Sequence, residues 1–169
     1  MAKKQQLVFI KDYNHKNDWY YEGNISRAIV AYLEKNEYKV LSHNSDNIRN
    51  RGVDIIAVDT NGVKELIEVK GYPTEHHTKG DRKGHPKVTK PRLQSTHWFS
   101  EAILCSIYNY EKYTIESKIR LALGFPFEQR YLELLKKVQP FFTDFKLDVK
   151  IYFVAENGTL IIKNLNSNL

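Results

Sequence analysis

The chain has 169 residues, 41% of them apolar and 27% charged, which is material for one packed domain and excludes a disordered or low-complexity chain. Its one cysteine excludes an intrachain disulfide framework, and its formal net charge of +6 favours a polyanionic partner without specifying one. The apolar run Leu7–Ile10 near the start is too short for a leader core or a membrane span, so a cytoplasmic protein with no membrane partner is expected.

Residues 1–18 read as a polar arm carrying that one short apolar run, either a strand or an ordered segment. From Trp19 to Asn36 the apolar residues Tyr21, Ile25, Ala28, Ile29, Tyr32 and Leu33 recur at helical spacing, with Asp18 placed to cap the helix. A strand, EYKVLS, follows, and then a polar loop over 43–51. Two apolar runs, GVDIIAVD and VKELIEVKGY, flank Thr60-Asn61-Gly62, the chemistry of a hairpin turn.

Residues 72–92 hold three prolines, two glycines and many cations with little to bury, which predicts a long exposed loop. Pro91 is placed to open the next helix, from Leu93 to about Tyr110, with Leu93, Trp98, Ala102, Cys105 and Tyr108 offered to a buried face. Cys105 itself reads as a buried structural thiol. IRLALGFP, EQRYLELLKKVQPFF and VKIYFV then read as strand, helix and strand, a crossover unit, and Glu156-Asn157-Gly158 closes a last hairpin to TLIIKN. The order αβββαβαββ predicts an α/β fold in one domain spanning 1–169, a mixed sheet flanked by helices.

The hairpin strands are mostly apolar and belong inside a sheet, where a carboxylate is costly unless paired or bound to a metal. Strand alternation puts Glu68 and Lys70 on one side, and Asp54 arrives from the neighbouring strand. Two carboxylates and an ammonium at one end of a hairpin suit metal-assisted phosphodiester hydrolysis. The carboxylates are hard ligands for Mg²⁺, and the lysine orients or deprotonates the attacking water or stabilises the charge that develops. The Val69 backbone carbonyl points away from its side chain and is a further candidate ligand. The bland alternative is an amphipathic strand with an ordinary polar face. Four histidines, His76, His77, His85 and His97, match no closed zinc spacing.

These residues, RGVDIIA followed by IEVKGY, resemble the PD-(D/E)xK, or restriction endonuclease-like, nuclease superfamily, and within it the Mrr-like and Holliday-junction-resolvase-like branches. Val53 stands where the superfamily's name has proline. The resemblance spans about residues 20–110 and implies a restriction endonuclease-like core. It makes Asp54 and Glu68 metal-binding acids and Lys70 the catalytic lysine. It makes Glu22 the additional acid of the first helix and Gln94 a glutamine near the metal. Mg²⁺, with Mn²⁺ able to substitute, is the cofactor implied.

Over residues 79–92, Lys79, Arg82, Lys83, Lys87, Lys90 and Arg92, against one acid, Asp81, mark the basic loop as a phosphate-contacting segment, and Arg51 precedes the metal strand as a further phosphate contact. The eleven tyrosines, spread through core-like positions, read as packing. The function expected is a metal-dependent DNA endonuclease, with a homodimer suited to double-strand cutting. The alternative is a catalytically silent nuclease-fold module that binds nucleic acid or a protein partner.

Overall fold

The computed structural model describes residues 8–44, 52–113 and 118–166. After a 3-10 turn at His15–Asn17, the elements are α1 (Glu22–Lys35), β1 (Lys39–His43), β2 (Ile55–Val58), β3 (Lys64–Val69), α2 (Pro91–Tyr113), β4 (Ile119–Pro126), α3 (Gln129–Asp144), β5 (Val149–Val154) and β6 (Leu160–Asn164). This is the αβββαβαββ order read from the sequence. The six strands form one sheet in chain order, β1 to β6. Pairs β1–β2, β2–β3 and β5–β6 are antiparallel, while β3–β4 and β4–β5 are parallel. Each parallel pair is joined by a helix, α2 or α3, as a parallel connection requires.

Side-chain alternation sorts the strands' residues between two cores. Ile25, Ile29 and Leu33 of α1 pack with Ile55, Ala57, Ile67, Val69, Ala122 and Tyr152 on one face. Phe99 and Ala102 of α2 and Tyr131, Leu135 and Phe142 of α3 pack with Leu123, Phe125, Ile151 and Phe153 on the other. Gly124 lets α1 lie close on the sheet, since a Cβ there would sit 2.5 Å from Ile29 Cδ1.

α1 begins later than expected and is not capped by Asp18. Tyr21 holds the cap position, and its side chain does not cap the helix. The carboxylate of Asp18 is taken by the Tyr13 hydroxyl at 2.6 Å, and its carbonyl accepts from the Tyr21 amide. The helix ends in a Schellman arrangement: the Tyr38 amide donates to Leu33 and the Glu37 amide to Glu34, with Glu37 at φ 64 where glycine is usual. The first hairpin turns at Gly62, φ 77, and Oδ1 of Asp59 accepts the amides of Asn61 and Val63.

Residues 72–92 are more ordered than their composition predicts. The amides of His77, Gly84 and Lys87 donate to His85, His77 and Glu75, folding the segment back on itself. The arm packs on it: the Ile10 amide donates to Gly84, His76 Nε2 donates to the Val8 carbonyl, and Phe9 lies against His85. Backbone pairing supplies the order that apolar burial does not, and the tip at 79–83 and the stretch 88–90 are the runs exposed throughout. In α2 the face turned inward is Ser95, Phe99, Ala102 and Ser106, whereas Leu93 and Tyr108 are 61% and 64% exposed, contrary to expectation. The helix is rolled so that Phe99 fills the core. Among the described residues, no helix is long and apolar enough to cross a membrane.

Candidate functional site

A cleft of about 610 Å³ opens at the end of the sheet where β2 begins, β3 ends and α1 starts. Asp54, Glu68, Lys70 and Glu22 all line it. Because β2 and β3 are antiparallel, the front of one meets the back of the other, with Ile55 opposite Ile67. Asp54 and Glu68 therefore lie just beyond the same rung.

Each group is held. Val69 donates its amide to Asp54 Oδ2 at 2.7 Å, while the next amide, of Lys70, turns to Gly124 on the opposite edge. In an extended strand the carbonyl of a residue lies on the same edge as its amide, so the Val69 carbonyl is on the Asp54 side. Lys70 Nζ pairs with Glu68 Oε1 at 3.0 Å. Glu22, first residue of α1, accepts a backbone bond from Gly71. That approach depends on glycine: a Cβ at Gly71 would lie 2.6 Å from the Tyr20 carbonyl and 2.7 Å from the Glu22 amide. The Gly71 carbonyl is anchored by the buried Tyr131 hydroxyl at 2.6 Å.

Burial disfavours charge on all three acids. It pushes the Glu68 carboxyl up to about 7, with the Asp54 carboxylate adding to the rise and Lys70 opposing it. Burial also raises Asp54, against the Val69 amide and Lys70. Glu22 is raised by burial too, against Lys70. Lys70 behaves in the opposite sense. Burial alone lowers its basicity, but Glu68, Glu22 and Asp54 outweigh burial and hold the ammonium above its ordinary value. The site thus gathers more carboxylate than one ammonium balances.

Among the described residues, no group of three or more His, Cys, Asp and Glu side chains is placed to hold a metal ion. Mg²⁺ does not require one: it binds through one or two carboxylates and keeps waters and substrate oxygens in its shell. Asp54, Glu68 and the Val69 carbonyl are oxygen donors of the right class, and an added cation relieves the repulsion between the acids.

The other expected residues divide. Lys79 and Lys87 line the cleft. Lys87 and Lys90 border an adjoining cleft with Arg92, which is paired with Glu133 at 2.6 Å. Arg82 and Lys83 lie on the exposed loop tip. Arg51 lies outside the described residues. Gln94 does not line the cleft; Trp98, Glu101 and Cys105 represent α2 there instead. Cys105 is half-buried rather than internal, with its thiol pushed up by burial. Of the histidines, His15 reaches the cleft, and His76, His77, His85 and His97 do not.

Sequence reasoning passed over Glu101 and the aromatic walls of the cleft, Tyr20, Tyr72 and Trp98. Trp98, Glu101 and Cys105 are spaced as one helix face, a signal that acquires meaning once the helix's rotation on the sheet is known.

No protein-family model and no curated protein matches the sequence. Among solved structures, the chain is similar to an fdxN element excision controlling factor protein from Anabaena variabilis, at 14% identity and TM-score 0.46, covering 85% of this chain and 99% of that one. It is also similar to an XisH family protein from Nostoc punctiforme, at 16% identity and TM-score 0.43, covering 85% and 97%. At those scores neither likeness speaks to what this chain does.

Proposed function

We propose that the chain is a metal-dependent nuclease that hydrolyses phosphodiester bonds, most simply as a DNA endonuclease. The observation that supports this best is the meeting of Asp54, Glu68, Lys70 and Glu22 in one cleft. Four ionisable groups from three elements are costly to gather at a sheet end unless they serve a site. The resemblance of the hairpin to the PD-(D/E)xK pattern favours the same reading.

When bound, Mg²⁺ polarises the phosphoryl oxygen and acidifies a water. Asp54 and Glu68 would hold it, with the Val69 carbonyl as a third oxygen. Lys70, paired with Glu68 at 3.0 Å, serves to stabilise charge on the phosphoryl oxygens or to position the attacking water. Glu22, with its raised carboxyl, faces the same space and is suited to orient the attacking water or take its proton. Lys79 and Lys87, which line the cleft, attract the substrate backbone.

The test is incubation with supercoiled plasmid, a four-way junction and single-stranded DNA in Mg²⁺ or Mn²⁺, beside Lys70→Ala and Asp54→Ala. Metal-dependent cutting lost in both variants is the expected result. Intact binding with no cutting of any substrate would overturn catalysis and leave a silent binding module.

A further inference from the structure

The cleft that holds Asp54, Glu68 and Lys70 does not end at the acids. It adjoins a second cleft, and the two share Tyr20, Tyr72 and Lys87. Trp98 forms another wall of the first cleft, and Lys90 borders the second. Tyr20 and Tyr72 meet edge to face at 6.3 Å, and Tyr72 stands on the buried Tyr131 ring. The pair is thus a rigid aromatic ridge between two hollows. Tyr20, Tyr72 and Trp98 are all half-buried, so each keeps some surface toward solvent.

Aromatic rings and lysines that line the same groove suit an unpaired strand: bases stack on the rings and phosphates follow the cations. A base inside a duplex presents no free face to such a ridge. The second cleft also carries Glu75, Glu128 and Asp18, whose carboxylate is taken by Tyr13. Those acids offset Lys87, Lys90 and Arg92, so grip there owes more to stacking than to charge.

We propose that the chain acts on unpaired DNA: a single strand crosses both clefts, stacking on Tyr20, Tyr72 and Trp98, with Lys79, Lys87 and Lys90 along its phosphates. This rests on the nuclease reading for its chemistry but is tested separately through binding.

Binding is measured by fluorescence anisotropy with Lys70→Ala, and with the wild-type chain in EDTA as a second form. The probes are a single-stranded oligodeoxynucleotide, its blunt duplex, and that duplex with a single-stranded tail. The single strand and the tailed duplex should bind roughly tenfold or more tighter than the blunt duplex. Tyr20→Leu and Tyr72→Leu, which keep apolar bulk, should each weaken single-strand binding by about fivefold or more and leave the blunt duplex unaffected. Trp98 fluorescence in a Trp19→Phe background should be quenched by the single strand. Equal affinity for the blunt duplex, or single-strand binding indifferent to both tyrosine substitutions, would overturn the proposal. Metal-dependent cutting that favours blunt duplex also overturns it while leaving the nuclease reading intact. Tyrosine-dependent single-strand binding with no cutting of any DNA overturns the nuclease reading and leaves the track as a binding surface.

Discussion

The amide of Val69 donates to Asp54 Oδ2 at 2.7 Å, joining residues fifteen apart in the chain across the open end of the first hairpin. This bond aims the carboxylate of one strand at the acid and lysine of the other. It uses an amide that has left the β2–β3 ladder, so the site is built from backbone that the sheet no longer needs.

Replacing Asp54 by asparagine should keep the fold and abolish cutting. The amide oxygen can still accept from Val69, so stability should change by no more than about 1 kcal/mol. Loss of the charged metal ligand should reduce cleavage by roughly a hundredfold or more. Thermal melts beside plasmid nicking rates check both halves, and a variant that unfolds would show that the fold needs the carboxylate itself and not only an acceptor for the Val69 amide.

Glu68 predicts an unusual pH dependence of stability without added divalent ions. Its carboxyl is raised to about 7 in the folded chain against an ordinary 4.5, chiefly by burial. Between those values the folded state holds a proton that the unfolded state has released, so stability falls as pH rises through that window. The loss should be on the order of 1–3 kcal/mol. Melts in EDTA at pH 5 and pH 8 should show the drop, and Glu68→Gln should flatten it. An unchanged slope in Glu68→Gln would locate the effect elsewhere.

Gly71→Ala should damage the site from outside it. The new Cβ meets the Tyr20 carbonyl and the Glu22 amide well inside contact distance, so the start of α1 must move. A cost of about 1–3 kcal/mol in stability is expected, with cleavage falling about tenfold to a hundredfold as Glu22 is displaced from Lys70. Denaturant melts and single-turnover rates report the two effects. Full activity would mean that Glu22 is not needed where it stands.

Glu65 offers a contrast on the same strand. It is fully buried and bonded to Lys150 at 2.7 Å, to the Tyr152 hydroxyl, and to Arg120 at 3.4 Å. Glu65→Ala leaves Lys150 without its carboxylate while Arg120 keeps Asp59 and Asp148, and should cost about 3 kcal/mol. Cleavage at low temperature by the fraction still folded should be unchanged, because this network lies at the other end of β3. A lost melting transition with normal specific activity is the expected pair of readings.

Neutralising the loop tip with Lys79→Gln, Arg82→Gln and Lys83→Gln together should weaken DNA binding and reduce the salt slope of log affinity by about 2. Deleting the whole loop is a poorer test, since Gly84 and His76 anchor the arm. Titrations across salt concentrations measure the slope, and an unaltered slope would show that the tip makes no phosphate contact.

Much of this molecule is written locally. The periodicities around Ile25, Ile29 and Leu33, the Asn61-Gly62 and Asn157-Gly158 turns and the apolar runs of β3, β4 and β5 are short-range patterns, and they gave the element order directly. Asp54, Glu68 and Lys70 were legible because a charge inside an apolar strand is costly and therefore conspicuous. What the chain alone did not reveal depends on contacts distant in sequence. The start of α1 is decided by where Asp18 is held by Tyr13, and the order of residues 72–92 by their pairing with Ile10 and Val8. The roll of α2 brings Trp98 and Glu101, rather than Gln94, to the cleft. Glu65 and Glu68 look alike on one strand, yet the sheet's two faces make one a buried structural anchor and the other a candidate ligand. Local pattern reports which residues share a face, whereas only packing decides what that face meets.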